Sequence, residues 1–192
     1  MNRILPILAL AAAAAAQAQT QPVPLSSKPP ELGRISLAYA DSGELDGYRL
    51  AVDARLLRDI HLHGSFADVS GAADADDTRA YSLGLSYRLD FGPGRASLGA
   101  AIGSLDGTTH DGDQQQLRAA YSIRGPQGLE AELSLTHFLN SGGEDDLTAP
   151  ALTLRYTFAD GIGLEASFSP ENTLLGVDTG DGTWSIGAHL SF

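Results

Sequence analysis

From residue 32 to Phe192 the chain alternates between large or apolar side chains and small or polar ones. The run Trp184-Ser185-Ile186-Gly187-Ala188-His189-Leu190-Ser191-Phe192 carries the apolar set on its even positions and ends on an aromatic. A period of two puts successive side chains on opposite faces of a strand, and it is incompatible with an amphipathic helix. Tyr48, Leu50, Val52, Ala54 and Leu56 form one such apolar face. Tyr81, Leu83, Leu85, Tyr87, Leu89 and Phe91 form another, and Leu129, Ala131, Leu133 and Leu135 a third.

Ten segments show the pattern: 32–41, 45–57, 58–68, 79–91, 94–104, 114–124, 128–139, 150–158, 161–169 and 183–192. Most are close to the ~9–11 residues that a tilted strand needs to cross a hydrocarbon layer. An even number suits a closed single-chain barrel. The connections alternate between short turns, at 57–58, 91–94, 125–128 and 159–161, and mostly longer loops, at 42–47, 69–78, 105–113, 140–149 and 170–182. Membrane barrels segregate turns and loops to opposite sides in this way, and a soluble sandwich has no reason to.

The aromatics divide in the same sense. Tyr39, Tyr48, Phe66, Tyr81, Phe168 and Trp184 fall near one set of strand ends, and Tyr87, Phe91, Tyr121, Tyr156, Phe158 and Phe192 near the other. Rings that are apolar in body and polar at the edge collect at the two water boundaries of a bilayer. The pattern predicts an all-β, ten-stranded antiparallel up-and-down transmembrane β-barrel over 32–192, in the bacterial outer membrane.

Residues 1–18 have the composition of a secretory signal peptide: Arg3, an apolar stretch from Ile4 to Ala16, and a small-x-small site at Ala16-Gln17-Ala18. Residues 19–31, with four prolines, read as a flexible periplasmic lead-in. There is no cysteine, so disulfides and a lipid-modified cysteine are excluded. The signal peptide, the alternating strands, the two girdles and the terminal Phe192 together resemble the small outer-membrane β-barrel superfamily that includes OmpA-like and opacity-type proteins. Leu45-Asp46-Gly47-Tyr48-Arg49-Leu50-Ala51-Val52 and Ile60-His61-Leu62-His63-Gly64-Ser65-Phe66 bear a fainter resemblance to a small barrel family of xanthomonads regulated by diffusible signal factor. The resemblance implies a porin-like cell-surface protein of Gram-negative bacteria, whose C-terminal strand is presented to the barrel-assembly machinery.

The parity opposite the apolar face defines a lumen that holds Arg34, Arg49, Asp53, Arg55, His61, His63, Arg88, Asp90, Arg95, Arg118, Arg124, Glu130, Glu132, Arg155, Glu165 and His189. A ten-stranded barrel is narrow, so these side chains are expected to fill it and to pair as ions. His61, His63 and Asp53 offer imidazole and carboxylate ligands, but no four-ligand zinc set is completed. The net charge of -12 excludes nucleic acid as a partner.

The longer connections are acidic, with three carboxylates each: Asp41, Glu44, Asp46; Asp74, Asp76, Asp77; Asp106, Asp111, Asp113; Glu144, Asp145, Asp146; and Glu171, Asp178, Asp181. Oxygen ligands suit calcium and magnesium, and the weak candidates for such binding are Asp74, Asp76, Asp77, Glu144, Asp145 and Asp146. No further cofactor is expected. Such a rim would bridge through cations to lipopolysaccharide, beside the lipid that the barrel wall contacts. Small barrels that modify lipids carry a base and a nucleophile side by side. His137 has lipid-face parity, but Leu139 occupies the place of the needed serine. The expected function is therefore a non-catalytic barrel with a structural or surface-interaction role. The alternatives are a narrow channel and a lipid-modifying enzyme.

Overall fold

The computed structural model describes residues 32–43, 45–71, 77–107, 111–141, 145–158, 161–171, 173–177 and 182–192. The expected leader (1–18) and lead-in (19–31) lie outside them. Ten strands follow in order: β1 (Gly33–Asp41), β2 (Leu45–Arg55), β3 (Ile60–Gly71), β4 (Thr78–Phe91), β5 (Gly94–Gly107), β6 (Gly112–Arg124), β7 (Leu129–Asn140), β8 (Leu147–Thr157), β9 (Ile162–Ser169) and β10 (Thr183–Ser191). Each pairs antiparallel with its chain neighbours, and β1 pairs with β10, so the sheet closes on itself. Three strands outrun their expected bounds at the loop end by three residues: β3 to Gly71, β5 to Gly107, and β8 from Leu147. Pro150 had marked a strand start, yet it sits inside β8. There β8 pairs with β7 alone, because pairing with β9 begins only at Leu152. A missing N–H is tolerated at such a local edge.

A lumen-facing row of paired residues traces the closure. It leaves β6 at Gly112 and passes Leu105, Ala80, Ala67, Arg49, Ala38, Gly187, Glu165, Arg155 and Glu130. It returns to β6 at Arg124, offset by twelve residues. An offset of that size obliges the strands to tilt by roughly 35–45°. Because of it, one row runs from the loop end of the barrel to the turn end.

The start of β1 and Phe192 lie together at the turn end, where the Phe192 carbonyl accepts Leu32 N–H (2.6 Å) and Gly33 N–H (2.9 Å). Gly92, with φ 59°, takes the left-handed position in the two-residue connection between Phe91 and Gly94. Gln127, in the 3-10 turn Pro126–Gly128, is the one non-glycine residue with positive φ (61°) among the described residues. A Cβ there is strained, so Gln127→Gly should stabilise the refolded barrel by about 0.5–1 kcal/mol in urea titration. An unchanged or lower midpoint would show that the turn carries no strain.

The outer wall is apolar. Leu83, Leu133, Ile102 and Ile186 are 57, 56, 70 and 68 % exposed, a surface that no water-soluble monomer would present. Closure leaves no unpaired sheet edge, which is the condition for crossing hydrocarbon with strands. A one-residue slip would turn Arg118 and Glu132 into lipid, at about 2–4 kcal/mol for a midplane arginine alone. The girdle aromatics pack in pairs, across strands at the loop end and along the chain at the turn end. Tyr39 meets Tyr48 (5.6 Å between centroids), Phe66 meets Tyr81 (5.2 Å) and Phe168 meets Trp184 (4.5 Å) at the loop end. Tyr156 meets Phe158 (5.1 Å) at the turn end. The protein is a closed transmembrane β-barrel.

Candidate functional site

Inside the barrel, the turn-end half is a network of ions. The register sets Arg155 on β8 between Glu130 on β7 and Glu165 on β9. Its Nη1 donates to Glu130 Oε1 (3.0 Å) and Glu132 Oε2 (3.3 Å), and its Nε to Glu165 Oε2 (3.3 Å). Glu130 also accepts from Arg124 Nε (2.9 Å) and Arg34 Nη1 (3.4 Å), and Glu132 from Arg118 Nη2 (2.6 Å). A second group forms where Asp53 takes Arg88 on one oxygen and His61 Nδ1 on the other (3.0 Å). Arg95 and Asp90 pair nearer the mouth (3.4 Å). Among the described residues no three His, Asp or Glu side chains come together as a metal site would require, so His61 serves as a partner of Asp53.

The loop-end half is closed by apolar packing, which corrects the sequence expectation for 170–182. That connection is not wholly part of an outward acidic rim, because residues 173–177 turn into the lumen. Leu174, Leu175 and Val177 are buried against Ala40, Leu45, Ala67, Val69 and Leu105, all on the inner face of the wall. Gln114 Nε2 donates to the Leu175 carbonyl (2.8 Å), and Asn140 Nδ2 to the Gly176 carbonyl (3.0 Å). Gly176 has φ 72° and a Cβ there would collide with the ring of Phe138, so the position admits none on either count. Phe138, the one aromatic without lipid-face parity, is buried beside Leu147 and Ala149. The only sign in the sequence was the apolar run Leu174-Leu175-Gly176-Val177 inside an otherwise acidic loop.

Below the cap a cavity of about 270 Å³, roofed by Thr173 and Leu174, extends among the network residues as far as Arg95 and Arg124. The lumen is therefore less completely filled than expected. Small side chains make the space. Ser65 and Ser82 share a hydrogen bond of 2.7 Å, and Ser167 and Ser185 one of 2.6 Å. Arg49, Arg118 and His63 also line it.

The acidic candidates are dispersed. Asp74, Asp76 and Glu144 lie outside the described residues, and Asp77, Asp145 and Asp146 are exposed. Other rim carboxylates bond within the wall: Asp46 accepts Tyr39 O–H (2.9 Å), and Asp41 accepts Gly43 N–H (2.9 Å). On the outer face Arg79 meets Asp68 (3.5 Å). His137 is bonded through Nδ1 to Thr148 Oγ1 (2.9 Å), and no carboxylate among the described residues stands within hydrogen-bond distance to orient it.

No protein-family model matches the sequence, and no curated protein does. Solved outer-membrane barrels are similar to it. The N-terminal β-barrel domain of Pseudomonas aeruginosa OprF is 16% identical over 83% of this chain and 96% of that one, with a TM-score of 0.42. KdgM porin is 11% identical over 83% and 99%, with a TM-score of 0.49. An outer membrane channel from Pseudomonas putida is 14% identical over 90% and 100%, with a TM-score of 0.49.

Proposed function

We propose that this protein is a closed, non-catalytic outer-membrane barrel whose role is structural and at the cell surface. The observation that carries the reading is the double closure of the lumen, by the buried Leu175 and Val177 at the loop end and by the arginine–carboxylate network at the turn end. An open pore needs a wide, continuous water column; the cap interrupts it at the loop end and the network narrows it at the turn end. The isolated His137–Thr148 pair supports the non-catalytic part, since a base without an orienting group is a poor activator of a hydroxyl. In this reading the acidic connections contact lipopolysaccharide through bridging calcium or magnesium, and the C-terminal strand meets the assembly machinery. One observation favours a second reading, a narrow channel: the cavity below the cap is polar-walled and already spans part of the path. Planar-bilayer recording separates the two. Refolded protein should give no stable porin-sized steps, and long-lived steps in every insertion would replace the first reading with the second.

A further inference from the structure

A groove on the outer face at the loop end combines aromatic faces with a carboxylate. The register sets Phe168 on β9 beside Trp184 on β10, and Trp184 beside Asp41 on β1. The two rings lie 4.5 Å apart between centroids, with their planes at 45°. These three residues line one groove of about 460 Å³ with Gly43, Pro170 and Gly182. The two glycines bring no side chain to fill it, and Trp184 is left 63 % exposed. The carboxylate is fixed by its own turn, where Asp41 Oδ1 accepts Gly43 N–H (2.9 Å).

The groove is complementary to a cation. Ser42 N–H donates to the Leu45 carbonyl (2.8 Å), so Asp41 and Asp46 form the next pair along, the kind whose side chains stand closest. Two carboxylates directly opposite each other repel, and a cation beside them relieves it. The five longer connections hold no Lys or Arg, so the whole rim steers positive charge toward the groove. The rings decide which cation. Calcium and magnesium need several oxygen ligands, and Asp41 is the one carboxylate lining the groove. An aromatic face, tryptophan above all, attracts instead a bulky and weakly hydrated organic cation. We infer that the groove binds a quaternary ammonium group, seated on Trp184 and Phe168 with Asp41 as its counter-charge. The groove opens at the girdle, so the group is either free in the medium or the headgroup of an amphiphile, with the same contacts in both cases. The site goes beyond the structural role proposed above and depends neither on conduction nor on bridging calcium.

Trp184 is the only tryptophan of the chain, so its fluorescence reports on the groove directly. The test is a titration of the refolded barrel with choline, in nonionic detergent free of lipopolysaccharide, with EDTA present and ionic strength held by sodium chloride. The emission should change saturably, and the uncharged carbon isostere of choline should leave it unchanged. Phe168→Leu should weaken binding by about threefold to thirtyfold, the worth of a cation–π contact. Asp41→Asn should weaken it by about twofold to fivefold, the worth of an exposed ion pair. Asp113→Asn removes the same charge on β6, across the barrel, and should have no effect. A second arm adds a trimethylammonium amphiphile at low mole fraction in the micelle. Saturation at a lower concentration than choline requires assigns the site to a headgroup, and saturation at an equal or higher one assigns it to a free cation. The proposal is overturned if neither probe changes the emission, if the carbon isostere titrates as choline does, or if Phe168→Leu and Asp41→Asn both bind as wild type does. Trp184 and Phe168 would then be ordinary girdle rings that anchor the barrel at the membrane boundary.

Discussion

Leu175→Ser combined with Val177→Ser should turn a silent barrel into a conducting one. The two side chains are 1 % and 0 % exposed, and they tie residues 173–177 into the lumen. Ordering five residues costs roughly 1–2 kcal/mol each. The two hydrogen bonds from Gln114 and Asn140 return only about 0.5–1.5 kcal/mol apiece. Apolar burial must supply the rest, at about 1.5–3 kcal/mol for each fully buried side chain. Removing two such anchors takes away roughly 3–6 kcal/mol, enough to shift the segment from docked to undocked. The strands should stay intact, because the backbone ladders do not involve these residues. Single-channel recordings of the double variant should show steps absent from wild type. The arginine surplus of the lumen should make those steps anion-selective. If limited proteolysis cuts the undocked segment while the bilayer stays silent, the cap is not the barrier, and the ion network below closes the barrel alone.

The ten strands were legible because lipid on one side and a polar lumen on the other leave a period-two record in every wall segment. The girdles were legible for the same reason, since an outward ring is marked by parity and by its place along the strand. The loop-end extensions of β3, β5 and β8 were not, because Ser70, Gly71, Asp106 and Gly107 are ordinary loop residues out of context and Pro150 reads as a strand start. The cap was missed for a different reason. A segment that turns inward after leaving β9 buries Leu174, Leu175 and Val177 without any strand periodicity, and a short apolar run in a loop has many possible fates.

The ion network was half legible. Parity placed Arg118, Arg124, Glu130, Glu132 and Arg155 inside, and adjacent strands made some of their pairing foreseeable. What parity cannot supply is the level of each residue along the barrel axis. That depends on the accumulated twelve-residue offset, which decides which residues of non-adjacent strands share a level.

Arg155→Leu should be the most destabilising single substitution in the lumen. Arg155 is 13 % exposed and, among the described residues, is the only group bonded to Glu130, Glu132 and Glu165 together. Its loss strips Glu165 of its ion pair and leaves Glu130 and Glu132 to their remaining arginines, with all three carboxylates, 10–16 % exposed, brought together across a narrow space. Breaking a buried ionic network by removing one partner costs about 3–5 kcal/mol, mostly as the penalty on the charges left behind. The outer pair Arg79–Asp68, 59 % and 53 % exposed, is the internal control: Arg79→Leu should cost no more than about 1 kcal/mol. Urea unfolding in vesicles should show the Arg155 variant melting well below wild type and the Arg79 variant close to it. Adding Glu132→Gln and Glu165→Gln to Arg155→Leu should recover much of the loss, since the repulsion is removed with the charges. Equal midpoints for wild type and Arg155→Leu would mean that lumen water already screens these carboxylates, and the network would then close the barrel without stabilising it.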